Sequence, residues 1–438
     1  MITVVKFGGS SVASAEQFTK VKNIVLGNDK RKIVVVSAPG KRFKGDSKVT
    51  DLLYLLSSHV KYGVDASKIL NDISNRYEEI ASELNLSIDV KNEFNAIMNN
   101  VKNGAGEEYI VSRGEYVCAK LMAAYLGYSF VDSAEIVCFN YDGTLNEEQT
   151  AEKIRSKFEE VGKMVVPGFY GAYPSGEIKL FSRGGSDVTG SLMAMAVSAE
   201  KYENWTDVSG MLVADPRIVD NPVGIEEVTY DELRELSYMG ASVLHEESVF
   251  PVRELEIPIH ILNTNKPEDK GTIICKESNI KDKIVTGIAG KKNFMAITVS
   301  KSINADKLSV VSDVLSVMKK FGVKLEHIHT SVDCFSVIVN GSDVDKIIFD
   351  ILSEIKRIKG VVSVDLDNDL ALVAVVGRNM VYKPGISARI FSIFGKNNIN
   401  IKTIAQGTKE INIIVGVQNA DFEKAIRAVY NEVESDEK

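Results

Sequence analysis

The chain has 438 residues, too many for one ordinary hydrophobic core, so two or three domains are expected. With 45% apolar and 26% charged residues, 9 prolines and a formal charge of −8, it reads as a globular protein and argues against nucleic acid as a partner. Its four cysteines form no C-x-x-C pair and no apolar run approaches ~20 residues, so a disulfide framework, a zinc site and a membrane partner are not expected and a cytoplasmic location is.

Residues 1–285 alternate strands and helices. An apolar run over 2–7 ends in Gly8-Gly9, and a helical stretch follows over 14–26. Residues 32–37 (KIVVVS) are rich in β-branched side chains, as expected of a strand covered on both faces of a parallel sheet. A long helical region with polar breaks spans about 50–100. Further strands are predicted at 129–131, 163–167, 205–206 with Val213, and 257–262. This alternation predicts an α/β domain with a mainly parallel sheet.

Near residue 285 the texture changes. Residues 293–340 read as strand (294–299), helix (306–321), strand (323–330) and strand (334–339), with a helix at 344–356 and a strand at 361–365. Residues 370–417 repeat the order: strand (370–376), helix (385–396), strands (399–404 and 411–417), then a helix over 420–433. Two such βαββα units mean an internal duplication, and units this small pair edge to edge, which invites dimerisation. The expected division is 1–285, 290–366 and 370–438, with the last strand free to return to the first repeat.

Two glycine-rich junctions carry the chemistry. Lys6-Phe7-Gly8-Gly9-Ser10-Ser11 sits at a strand end, where glycines let the backbone approach an anion and Lys6 places a compact cation against phosphate oxygens. An ordinary strand–turn–helix with a surface lysine has the same pattern. Ser182-Arg183-Gly184-Gly185-Ser186-Asp187 leads into a helix predicted over 188–199; Ser186 and Asp187 suit its N-terminus, and Arg183 can hold a carboxylate through two parallel hydrogen bonds. A plain helix cap reads similarly. Both junctions would face the carboxyl ends of the strands, where open parallel sheets bind ligands. Trp205-Thr206-Asp207 with Ala214-Asp215-Pro216-Arg217 offers groups for a nucleotide, or simply a turn. Ser112-Arg113-Gly114-Glu115 offers a carboxylate for an ammonium group, or a structural ion pair.

In this order, KFGGSS, SRGE, SRGGSDVT and WTDVSG…ADPR resemble the aspartate kinases of the amino-acid-kinase fold, and the duplicated C-terminal unit resembles their paired ACT domains. The resemblance implies a three-layer αβα catalytic domain followed by two ferredoxin-like βαββαβ units. It implies the reaction ATP plus L-aspartate to ADP plus 4-phospho-L-aspartate, the first step towards lysine, threonine and methionine, with ATP carrying Mg²⁺ and no metal-ligating set assigned to the protein. Lys6 and Asp187 would be catalytic. Lys6, Gly8, Gly9, Ser10, Thr206, Asp207, Asp215 and Arg217 would serve ATP, and Ser37, Thr50, Glu115, Arg183 and Ser186 would hold aspartate.

The segment 321–331 (FGVKLEHIHTS) is similar to the lysine-sensing subset. An amino-acid effector, lysine in preference to threonine, is therefore expected near Asn304, Lys307, Val310, Glu326 and Ser331, in a homodimer or tetramer. Two departures stand out. Ser242 replaces the lysine of the family's Gly-Ala-Lys-Val-Leu-His-Pro stretch, and the first repeat has Ala305-Asp306-Lys307 where the second keeps Pro384-Gly385. A glutamate, carbamate or uridylate kinase, and a non-catalytic amino-acid sensor on the same scaffold, are the competing readings. Length argues against a fused homoserine dehydrogenase.

Overall fold

The computed structural model describes residues 1–182, 184–241, 244, 248–280, 283–381 and 383–436. The chain divides into two units: Met1–Met211 with Gly224–Ser237 and Ser242–Ile280, and Leu212–Val223 with Tyr238–Ala241 and Lys281–Lys438.

In the first unit, the valine-rich segments become buried strands. β1 (Thr3–Phe7) and β2 (Arg31–Val36) are linked by the helix Ala15–Leu26, which Ser14 caps by accepting from the Gln17 N–H and which buries Phe18, Val21 and Val25. β3 (Ser129–Phe130) and β4 (Met164–Pro167) follow, then a small hairpin of β5 (Tyr170–Ala172) and β6 (Ile178–Leu180). β7 (Lys201–Thr206), β8 (Glu227–Thr229), β9 (Ile259–Asn263) and β10 (Thr272–Cys275) complete an eight-stranded sheet of order β3-β4-β2-β1-β7-β9-β10-β8. Every neighbouring pair is parallel except β9 with β10. The fold class is thus the mainly parallel α/β arrangement expected.

The helical region expected over 50–100 is three helices, Val49–Lys61, Ser67–Glu83 and Val90–Lys102. Gly63 (φ +67°) and Asn85 (φ +54°) end the first two in left-handed turns. The tetrapeptide 112–115 lies in the 20-residue helix Glu107–Leu126, and all four of its residues are buried.

The second unit is a six-stranded antiparallel sheet of order β12-β13-β11-β14-β16-β15, where β11 is Gly287–Lys301, β12 His327–Thr330, β13 Cys334–Asn340, β14 Val361–Val376, β15 Thr403–Ala405 and β16 Asn412–Val417. The strands expected at 361–365 and 370–376 are one strand. Pairing of β14 with β11 continues through irregular register around Lys291–Ala296, where the polar Asp365–Asp369 stretch gives no apolar signal. No strand follows the helix Phe422–Asp436 among the described residues. The last strand of the second βαββ unit is instead Gly287–Lys291, which precedes the first repeat and pairs with Leu372–Val376. Ile297, Val310, Val314, Val337, Ile351 and Ile355 form the core under the first repeat. Residues 212–223 belong to this unit: Ile288 N–H donates to the Val213 carbonyl (2.7 Å) and Arg427 Nε to that of Ile218 (2.8 Å).

Candidate active site

Four adjacent strands of the first unit, β4, β2, β1 and β7, end side by side, and their carboxyl ends open into one cleft of about 590 Å³. Lys6, Gly9, Ser10, Ser37, Thr50, Glu115, Ser186, Asp187 and Asp207 all line it. The sequence places these residues up to 201 positions apart; the parallel register brings them together.

A charge pair lines the cleft. The register of β1 on β7 sets Lys6 beside Asn204. Both reach Oδ1 of Asp187, in the first turn of the helix Gly185–Ala196: Lys6 Nζ at 2.5 Å and Asn204 Nδ2, as donor, at 2.8 Å. Lys6 and Asn204 are buried, so the ammonium is held in one place before any ligand arrives. The helix starts one turn earlier than expected, at Gly185, with Gly184 left-handed at φ +56°. A Cβ on Gly168 would lie 2.6 Å from the Ser186 side chain, so only glycine after β4 lets that first turn come so close. On the facing wall, Gly40 N–H donates to the Gly9 carbonyl (2.8 Å), and a Cβ on either glycine would strike the other loop's backbone.

Glu115 lines the same cleft. Gly114 makes room for it: a Cβ there would lie 2.8 Å from Ala38 Cβ and 2.9 Å from Leu53 Cδ1. Glu115 is 4% exposed and its Oε2 has no hydrogen-bond partner. Burial pushes its carboxyl up to about 7, although the Ala38 backbone N–H and Arg113 work the other way. An unpaired, buried carboxylate oxygen facing a cleft is a receptor for a cation. Arg113, by contrast, is stacked among the rings of Tyr109, Tyr116 and Tyr170 at 4.5, 4.4 and 5.2 Å, a structural role.

Sequence reasoning missed Ala38, Pro39, Gly40, Lys41, Lys48 and Phe169, which also line the cleft. Pro167-Gly168-Phe169 was legible as a strand-ending turn; Phe169 adopts φ +81°, rare for an aromatic residue, and its N–H donates to Thr189 Oγ1 (3.1 Å).

A family model described as the amino acid kinase family matches residues 1–263, and one described as an ACT domain matches 373–433. Aspartokinase 3 of Bacillus subtilis is 35% identical, covering 98% of both chains. The crystal structure of the aspartate kinase of Clostridium acetobutylicum, described as an important allosteric enzyme, superposes with a TM-score of 0.92 at 45% identity over 99% of both chains. The chain belongs to the aspartate kinases. It is a phosphotransferase of the amino acid kinase family. Aspartokinase III of E. coli, in complex with aspartate and ADP, shares the fold at a TM-score of 0.77 and 24% identity, covering 98% of this chain and 99% of its own.

Other residues expected to serve an aspartate kinase fall elsewhere. Arg183 and Ser242 lie outside the described residues. Gly8 donates its N–H to the Trp205 carbonyl (3.0 Å), and Thr206 Oγ1 donates to Asp207 Oδ1 (3.2 Å) beside the cleft. Asp215 and Arg217 close on one another at 2.6 Å, in the segment that belongs to the second unit, and neither is among the cleft residues. In the second unit, Lys307 Nζ donates to the Ser331 carbonyl, Glu326 N–H donates to the Ile338 carbonyl (2.9 Å), Asn304 is exposed in the turn before the helix Lys307–Lys320, and Val310 is buried in the core at 2% exposure.

Proposed function

We propose that the cleft joins the γ-phosphoryl group of ATP to the side-chain carboxylate of L-aspartate. The single observation that carries this assignment is the charge lining of the cleft: one cavity holds a fixed cation beside glycine loops together with an unpaired buried carboxylate. Aspartate's side chain, with a reference pKa of ~3.9, is already an anion at neutral pH, so no general base is required. The O–P bond forms on a carboxylate oxygen as the bond from the γ-phosphorus to the β,γ-bridging oxygen breaks, and the electron pair leaves with ADP. The barrier is electrostatic, and positioned cations and backbone N–H groups lower it.

In this reading Lys6 meets the phosphates, with Asp187 and Asn204 fixing its position and Gly9 and Ser10 supplying the close backbone approach. Glu115 binds the α-ammonium of aspartate, while Ser37, Thr50 and Ser186 accept the remaining polar groups and Arg183 the α-carboxylate. Thr206, Asp207, Asp215 and Arg217 serve the nucleotide. Mg²⁺ would be carried chiefly by the phosphates, with Asp207 as a cleft carboxylate within the same cavity. That ion would neutralise phosphate charge.

We assign the catalytic domain to 1–285 and the paired ACT domains to 290–366 and 370–438, in a cytoplasmic homodimer or tetramer that opens the route to lysine, threonine and methionine. Lysine, in preference to threonine, is the proposed effector at Asn304, Lys307, Val310, Glu326 and Ser331. No described helix is long and apolar enough to cross a membrane. ADP release with aspartate, glutamate and UMP as acceptors side by side, with hydroxylamine trapping of the acyl phosphate for the two amino acids, tests the reaction. Product with aspartate alone is expected, and none with aspartate would refute it.

A further inference from the structure

The loop between β2 and the helix Val49–Lys61 brings two cations to the cleft that the proposed division of labour leaves unused. Lys41 and Lys48 both line it and both are exposed. Among the described residues neither pairs with a carboxylate, whereas the charge of Lys6 is already met by Asp187 at 2.5 Å. The loop that carries them is pinned from beneath. Arg76, 5% exposed, donates from one guanidinium nitrogen to the Gly40 carbonyl (2.7 Å) and from the other to that of Ser47 (3.1 Å). These are the carbonyls of the peptide units that lead into Lys41 and Lys48. One guanidinium thus holds together the two peptide units from which the lysines spring, at the two ends of a seven-step excursion. Asp46 locks the arrangement: it sits 3.2 Å from Arg76 and 3.0 Å from Arg42. Its own burial opposes ionisation, yet the hydrogen bonds from Arg42 and the charge of Arg76 hold its carboxyl down to about 2.

The loop is closed at its base and tied to the first glycine junction. Val49 N–H donates to the Pro39 carbonyl (3.1 Å), next to Thr50, and Gly40 N–H donates to the Gly9 carbonyl (2.8 Å). Lys41 and Lys48 thus line the cleft from a loop that is tied to Gly9 and leads into Thr50, within the same cavity as Lys6. We infer that Lys41 and Lys48 are catalytic residues that clamp the γ-phosphoryl group, and that Arg76 is the positioning residue that pairs them. This rests on the cleft being the phosphoryl-transfer site.

Two measurements keep the inference apart from that reading. The first needs no acceptor: the affinities of ADP and of the β,γ-imido analogue of ATP, by calorimetry on the full chain. Lys41→Met with Lys48→Met should weaken the analogue about 10-fold or more while changing ADP less than about 2-fold, and Lys48→Arg with Lys41→Arg should restore most of the difference. Arg76→Lys, which cannot span two carbonyls, should show the same loss of preference, with its melting temperature recorded as the folding control. The second is turnover with aspartate: kcat of each lysine variant should fall about 10-fold or more with the KM for aspartate within about 3-fold. An unchanged preference for the triphosphate analogue overturns the inference whatever the acceptor proves to be. A rise confined to the KM for aspartate does so as well, and moves the lysines to the amino-acid carboxylates. Absence of aspartate turnover in the wild type, with the analogue preference intact and lysine-dependent, refutes the choice of acceptor and leaves the clamp standing.

Discussion

Lys6 and Glu115 illustrate opposite uses of burial. Lys6 is buried with its charge met by Asp187, and Asn204 holds the same carboxylate oxygen, so a fixed dipole is aimed at the cleft without the cost of an isolated ion. Lys6→Met should lower kcat by about 10²–10³-fold with little change in aspartate binding, measured by hydroxamate trapping; near-normal turnover would remove Lys6 from the phosphoryl site. Glu115 is buried without a partner on Oε2, and burial raises its carboxyl to about 7. Under the proposed assignment the ammonium of aspartate binds the ionised form, so as pH falls through 7 the KM for aspartate should rise, approaching ten-fold per unit at lower pH. Glu115→Gln should abolish that dependence and raise KM at pH 8. For folding the sign is opposite to that of a salt-bridged acid. A raised folded pKa contributes stability present below the unfolded value (~4.5) and lost as pH rises through 7, so the Gln variant should melt higher than wild type at pH 8 and equally at pH 4. Equal melting temperatures at both pH values would contradict the burial of a charge.

At the scale of elements, glycines decide how closely backbones meet. The close approach of the helix Glu107–Leu126 to Ala38 and Leu53 is possible only because residue 114 lacks a Cβ. Gly114→Ala should destabilise by about 1–3 kcal/mol through overpacking and also weaken aspartate binding, because the Ala38 loop that faces Glu115 must shift. Chemical denaturation with KM measured in parallel checks both. In the second unit the shared ribbon of β11 and β14 gives a different prediction. A fragment beginning at 293 loses Gly287–Lys291 and leaves Leu372–Val376 paired only with β16, its other side a bare apolar edge. It should melt lower and aggregate more readily than a fragment beginning at 284. Equal behaviour would show that the second repeat closes without its upstream strand.

At the scale of the whole molecule, the prediction concerns regulation. An end-product amino acid that binds the ACT units in one state of a dimer shifts turnover by its differential affinity, typically ~1–3 kcal/mol. Lysine should inhibit turnover with an effect larger than that of threonine at equal concentration. Assays with each added separately and together check this, and insensitivity to both would refute the regulatory reading. Glu326→Ala should relieve inhibition while leaving uninhibited turnover unchanged, since it lies in the second unit and outside the cleft.

The local chemistry of the site was legible because it needs special residues at strand ends. Gly8-Gly9 after an apolar run, and Gly184-Gly185 before Ser186-Asp187, are choices that an ordinary turn seldom requires twice, and both junctions do meet in one cleft. The α/β class was legible from the period of the apolar residues, and the duplication from its repeat. What the chain could not announce by itself were contacts without a local signature. Asn204 looks like any residue in a strand until the β1–β7 register sets it beside Lys6. Lys41 and Lys48 look like solvated loop lysines until Arg76, from a distant helix, ties their loop down. Asp215 and Arg217, which the family resemblance assigns to the nucleotide, form a salt bridge with one another at 2.6 Å, a contact that no linear pattern announces. The strand that closes the second repeat lies upstream of the first, and no linear pattern marks it. Periodicity and turn chemistry act over a few residues and are written in the sequence, whereas register, loop anchoring and strand order depend on which segments meet after collapse, and only the tertiary structure decides them.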